Sequence, residues 1–313
     1  MAVDLIKKTF SILAVLLVLT GCSTKGTEED KDTEDLVKIT STFSIMTDIV
    51  EAIGGEYVEV YNLVPLGTDP HDYDPKPEDI QFLTESDALF YNGLNLEGGN
   101  GGWLDKIVSS VDYDESKMYR ATDDIEPMYL AEGTADEEIN PHSFIDPNVG
   151  IKMAEAVEEA LIELDSENSE YYKERAKEYI KELKDIETDY RQTFENIPDD
   201  RRILFASEFA FQYLTEQYDI QEGYIWSIDT EASGSPQQIK EATEFVKKYH
   251  PPVLFVESNV DRRPMETISK ESSVPIYEQP LYSDEIGNAD SEASTYLEYL
   301  RYNLNVLSDG MNQ

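Results

Sequence analysis

Cysteine is nearly absent from this chain. Of 313 residues only Cys22 carries a thiol, which excludes intramolecular disulfides, thiolate metal clusters and a spare redox thiol. Histidine is scarce as well, with three copies: His71, His142 and His250. Basic residues number 25 against 66 acidic ones, a formal net charge of −41. Nucleic acid is thereby excluded as a partner, because holding phosphates needs clustered Lys and Arg. The acids are spread over the whole chain, which reads as a solvated acidic surface rather than a dedicated cation funnel. Neither H-E-x-x-H nor G-x-S-x-G occurs, so the sequence signatures of zinc peptidases and serine hydrolases are missing and no enzyme is expected.

Long apolar runs are also lacking. The longest, FSILAVLLVL from Phe10 to Leu19, is too short for a membrane-spanning helix of about twenty residues. It follows Lys7 and Lys8 and precedes Leu19-Thr-Gly-Cys22. That order reads as a lipoprotein signal peptide over residues 1–21, cut before Cys22, whose thiol takes a lipid and anchors the chain to the outer face of the cell membrane. Residues 22–35 are polar, charged and without apolar anchors, and are expected to form a disordered tether.

Beyond the tether, strand-like runs alternate with helical stretches. The strand candidates are residues 36–40, 57–64, 88–91, 203–206, 224–228, 253–257 and 275–279. Asp146 followed by Pro147 predicts a helix N-terminus, with the helix running to Leu164. Ser235, Pro236 and Gln238 predict a capping box for a helix through Tyr249. Alternation of this kind implies an α/β fold with parallel sheets. Proline and glycine are absent from Glu167 to Ile197, where Tyr172, Ala176, Tyr179, Leu183, Ile186 and Tyr190 recur in steps of three and four. That spacing predicts one long amphipathic helix. It divides the chain into an N-terminal α/β lobe (36–166), a connecting helix (167–197) and a C-terminal α/β lobe (198–313).

Four residues beside turn signals stand out: His71 in GTDPHDYDP, His142 in NPHSFIDP, Glu208 in FASEFAF and Asp284 in QPLYSDEIG. Two imidazoles and two carboxylates suit a divalent cation and neutralise its charge. Glu208 and Asp284 follow strand candidates, where ligands sit in open α/β sheets. Taken singly, each has a plainer role: a turn cap for the histidines, an N-cap acid for Glu208, a turn residue for Asp284. His250, at a helix end before two prolines, is expected to be exposed, and Asp72, Asp74 and Glu78 to be acids other than ligands. The segment Glu257–Pro264 looks structural, with Arg262 or Arg263 pairing with a nearby acid.

The segments VPLGTDPHDYDPKPEDI, FYNGLNLEGG, NPHSFIDP, SEFAFQYL, YIWSIDTEASGSPQQI, LFVESNVDRRPM and YSDEIG cover nearly the whole chain from Leu36 onward. Together they resemble the metal-binding lipoproteins of bacterial ABC importers for manganese, zinc or iron, and in particular the streptococcal-type manganese-binding surface lipoproteins. The resemblance implies two (β/α) lobes joined by a rigid helix, with one metal between them held by His71, His142, Glu208 and Asp284. It implies a monomer that serves membrane permease and ATPase subunits. Rival expectations are a zinc or iron binder of the same class, or an adhesin-like lipoprotein. The zinc branch usually has a histidine in place of Glu208 and often a histidine-rich loop where this chain has GTADEE, so manganese is expected first, with Zn2+ or Fe2+ as alternatives. Asn140 stands where an aspartate is usual, and Phe144 where a tryptophan is usual. Both bear on the surroundings of a ligand and not on a ligand itself.

Overall fold

The structure is a computed structural model and describes residues 36–130, 138–228 and 234–313. The expected signal peptide, Cys22, the tether and all of the GTADEE run but Glu138 lie outside the described residues. Strand β1 (Val37–Ser41) is followed by helix α1 (Ser44–Gly54) and strand β2 (Val58–Asn62), then α2 (Pro77–Glu85), β3 (Ala88–Tyr91), α3 (Trp103–Ser110) and β4 (Met118–Arg120). With a crossover between successive strands the sheet is parallel, in the order β2-β1-β3-β4. Leu89 faces α2 and α3, among Leu83, Trp103, Leu104 and Ile107. Its neighbours Ala88 and Phe90 face the larger core of α1 and of α4 (Pro147–Leu164). The sheet is thus covered on both faces, as parallel sheets are.

Asp146 caps α4, its side chain accepting from the Asn148 N–H, with Pro147 at the first helical position. The long helix α5 spans Ser169–Glu195, 27 residues or about 40 Å. Tyr172, Ala176, Tyr179, Leu183, Ile186 and Tyr190 form its buried stripe, together with Ile180 and Phe194. α5 packs on α1 and α4 on one side and on the C-terminal helix α9 (Tyr296–Met311) on the other. The Tyr190 hydroxyl donates to the Leu300 carbonyl at 2.7 Å, and the Tyr179 hydroxyl and the Tyr296 backbone N–H both donate to Asp48 of α1. One continuous core therefore runs through α1, α4, α5 and α9.

The second sheet departs in detail from the pattern in the sequence. β5 (Ile203–Phe205) pairs in parallel with β6 (Gln221–Gly223), upstream of the 224–228 run expected to be a strand. Between them lies α6 (Gln212–Gln217). Ile225 and Trp226 lie just past that ladder, Trp226 in an isolated parallel bridge with Glu208, and both are buried against α7 (Pro236–Tyr249) and α8 (Arg263–Ser272). The runs 253–257 and 275–279 form no regular ladder. They join the sheet through a Phe255 N–H donated to Phe205 and through isolated parallel bridges, Leu254 to Ile276 and Glu257 to Leu281. The capping box of α7 is present, with Ser235 and Gln238 reciprocally bonded.

Candidate metal centre

Each of the four side chains is aimed by its own local structure. Beyond β2, Leu63 and Val64 still donate to the Ser41 and Thr42 carbonyls, so the loop carrying His71 leaves from the carboxyl edge of the first sheet. The Pro70 carbonyl accepts from Trp103 Nε1 at 2.8 Å, and the His71 N–H from its side donates to Asp69 Oδ1 at 2.7 Å. His142 opens a single 3-10 turn, His142–Ile145, ahead of α4. Asn92, just past β3, donates to the Pro141 carbonyl and holds that turn against the same edge. Glu208 follows β5, and the Ser207 and Glu208 N–H groups both donate to the buried Glu257 carboxylate at 3.0 and 2.9 Å. Asp284 Oδ2 accepts from Asn259 Nδ2 at 2.9 Å and from the Ser283 hydroxyl at 2.8 Å. The Ser283 carbonyl in turn accepts from Tyr299 of α9.

These four turns bring one ligand atom from each residue to within 4.8 Å of all the others. His71 Nε2 and His142 Nε2 are 3.2 Å apart. Asp284 Oδ1 lies 3.1 Å from His142 Nε2 and 3.5 Å from His71 Nε2, and Glu208 Oε1 lies 3.9 Å from His142 Nε2. His142 Nδ1 faces the Asn140 Oδ1 acceptor at 2.8 Å, so the ring proton sits on Nδ1 and Nε2 presents a lone pair. Asp284 Oδ1, buried, has no well-directed hydrogen-bond donor. The group is therefore a set of electron-pair donors facing inward. A single proton can serve one of these contacts, whereas a cation serves all of them. Four ligands at about 2.0–2.2 Å around a tetrahedral ion stand roughly 3.3–3.6 Å apart, close to the 3.1–3.5 Å spacings among His71, His142 and Asp284, with Glu208 3.9 Å from His142.

Residues 39–310 match the family model for ZnuA, zinc-uptake complex component A, periplasmic. This chain belongs to that family. It is 36% identical over 312 residues to the manganese ABC transporter substrate-binding lipoprotein PsaA of Streptococcus pneumoniae, covering 98% of this chain and 100% of the relative. It is 35% identical over 309 residues to the iron ABC transporter substrate-binding lipoprotein MtsA of Streptococcus pyogenes, covering 97% and 99%. Among solved structures, the manganese-bound periplasmic metal-binding protein of Candidatus Liberibacter asiaticus superposes with a TM-score of 0.76 at 25% identity, over 87% of this chain and 98% of that one. Membership of the ZnuA family makes this chain a divalent-metal-binding, non-enzymatic component of ABC import. Among the described residues no helix is long and apolar enough to cross a membrane.

The four-residue cluster has an uneven charge distribution. Burial disfavours the His71 imidazolium, but the Asp284 carboxylate beside it, with Glu208 and Asp69 further off, outweighs burial and lifts His71 to about 9. Burial holds His142 below the usual histidine range, against the pull of Asp284. Burial would raise Asp284, but the two imidazoles keep it well below the usual carboxylate range. Other expectations for single residues hold. His250 is exposed at the end of α7, and Asp72, Asp74 and Glu78 are exposed beside His71. Arg263 pairs with Asp261, and Arg262 with Glu266. Phe144 is buried against Phe43, and its carbonyl accepts from Tyr296.

Residue patterns alone missed two buried acids that shape the site. Asp79 accepts from the Tyr61 and Tyr73 hydroxyls and the Lys76 N–H, bracing the loop that carries His71. Glu257 organises the turn of Glu208, and burial pushes its carboxyl up to about 7. Glu257 ends an apolar run just as Glu208 does, and that position was the available signal.

Proposed function

We propose that this chain is the extracytoplasmic receptor of an ABC importer, anchored by a lipid on Cys22. It captures one divalent cation, manganese in the first instance, through His71, His142, Glu208 and Asp284, and passes it to the permease and ATPase subunits. The observation that carries this reading is the inward convergence of four ligand atoms in a buried site with two carboxylates. Glu208 in place of a third imidazole favours manganese, since carboxylate oxygen suits harder ions. Raw affinity does not, because zinc outranks manganese at any such site. Selection would then lie in metal supply and in release. Elemental analysis of the purified protein, followed by competitive titration of the stripped chain with Mn2+, Fe2+ and Zn2+, tests this. One ion per chain is expected, and no stable divalent ion would refute it.

Metal should also stabilise the fold. A ligand that binds only the folded state at about 100 times its dissociation constant adds roughly 2.7 kcal/mol. Zinc should raise the melting temperature at least as much as manganese. A thermal scan in which manganese stabilises and zinc has no effect would overturn this account of selectivity.

Two lobes moving as rigid bodies about α5 are part of the proposal, and their motion should be small. The 27 residues of α5 contain no proline or glycine to seed a kink. The helix is also tied to α9 through Tyr190 and the Arg301–Glu182 pair, and to α1 through Tyr179. Small-angle scattering of the mature chain should give nearly equal radii of gyration with and without metal. Compaction of more than about 2 Å, against roughly 19 Å expected for a compact chain of this length, would make α5 a hinge.

A further inference from the structure

We propose that Asn140 is a positioning residue that locks the His142 turn to the Glu208 turn and so sets how slowly the bound metal leaves. The inference rests on the metal-binding reading above. Asn140 is fully buried. Its backbone N–H donates to the Met128 carbonyl at 2.8 Å, and its carbonyl accepts from the Tyr213 hydroxyl at 2.9 Å. The same hydroxyl accepts from the Met128 N–H, so the backbone at this position is held from both sides.

The side chain then reaches in two directions. Oδ1 accepts from the His142 backbone N–H at 3.2 Å and from His142 Nδ1 at 2.8 Å. Nδ2 donates to the Phe209 carbonyl at 2.8 Å and to Gln212 Oε1 at 3.1 Å. A backbone donor on one side and a backbone acceptor on the other fix which end of the amide is oxygen. All four hydrogen-bonding positions of the amide are occupied. Phe209 directly follows Glu208, so one side chain holds the ring of one ligand and the turn of another that comes from the other half of the chain.

An aspartate could hold His142 equally well but could not donate. Its second oxygen would face the Phe209 carbonyl and Gln212 Oε1 with no proton between them. Gln212 could turn its amide to supply one, but only by giving up its own bond to the Tyr129 carbonyl. The amide, where the resemblance led one to expect a carboxylate, therefore adds a cross-link between ligand turns. Metal release requires ligands from the two halves to part, and this cross-link resists the parting.

The test uses the mature full chain and the variants Asn140→Asp and Gln212→Ala. Each is loaded with Mn2+ or Zn2+, mixed with excess chelator, and followed by stopped flow. Losing both donations in Asn140→Asp should speed release about tenfold, and losing one in Gln212→Ala should give a smaller acceleration. Cobalt-loaded protein supplies a readout that a merely structural role would not move. Its visible bands should shift in Asn140→Asp, where a carboxylate faces His142 Nδ1, and stay fixed in Gln212→Ala. Wild-type release from both variants, or from Gln212→Ala alone should Asn140→Asp not fold, overturns the proposal. A wild-type chain that binds no divalent ion overturns the metal reading itself, and the inference with it.

Discussion

Replacing Asp284 by alanine is expected to weaken divalent-metal binding by at least about 2 kcal/mol, or about thirtyfold. Among the four candidate ligands it should have the largest effect. Its Oδ1 is within 3.5 Å of both imidazole Nε2 atoms, and it is one of only two negative charges in the cluster. Removing it leaves a buried 2+ ion half neutralised, with two neutral rings and one carboxylate around it. Asp284→Asn separates charge from shape. An amide can keep a polar contact with Asn259 and Ser283 but brings no charge, so its affinity should fall between wild type and Asp284→Ala. The corresponding alanine variants of His71, His142 and Glu208 should each weaken binding as well, but by less than Asp284→Ala. Isothermal titration against a competing chelator measures all of them, and wild-type affinity in any two would sink the ligand assignment.

The parts of this molecule that were legible in its sequence are those decided by neighbours in the chain. The Asp146–Pro147 start of α4 and the Ser235–Gln238 box of α7 are local hydrogen-bonding devices, and both form where the residues predict. The stripe on α5 is likewise a matter of spacing. β6 shows the opposite case. The aromatic and β-branched run Tyr224–Ile228 has the composition of a strand, yet the ladder forms at Gln221, Glu222 and Gly223. Strand preference largely measures fit to neighbours, and here pairing with Ile203–Phe205 decides the register. Ile225 and Trp226 serve the core below instead, and Trp226 bridges to Glu208.

The site divides in the same way. His71, His142, Glu208 and Asp284 were visible because turn residues flank them and because whole segments resemble a known family. The groups that aim them were mostly invisible. In a chain with 66 acids, nothing local separates a buried Asp79 from the exposed majority, and only its place at the end of an apolar run marks Glu257. Asn140 was visible only as a departure, and its two-sided hydrogen bonding depends on Phe209 and Gln212, which only the fold brings near.

Metal affinity should rise about tenfold for each pH unit from 6 to 8.5 and level off above about 9. In the metal-free protein His71 is lifted to about 9 by Asp284 and its acidic neighbours, so through this range it holds a proton that a cation must displace. His142 is held below the usual histidine range and Asp284 well below the usual carboxylate range, so neither adds a proton to the exchange. Stability follows the same linkage. The raised pKa of His71 stabilises the metal-free fold fully below its unfolded value of about 6.5, and that contribution is lost as pH rises towards 9. The shift in melting temperature on adding metal should therefore grow with pH. Asp284→Ala provides the internal control: without the carboxylate that lifts His71, the slope should flatten across the upper half of the range. Titrations at half-unit intervals, with proton release measured in buffers of different ionisation enthalpy, should find close to one proton released per metal at pH 7.5. Equal affinity at pH 6 and pH 8.5 would mean that His71 carries no proton for the metal to displace, and would overturn this pH dependence.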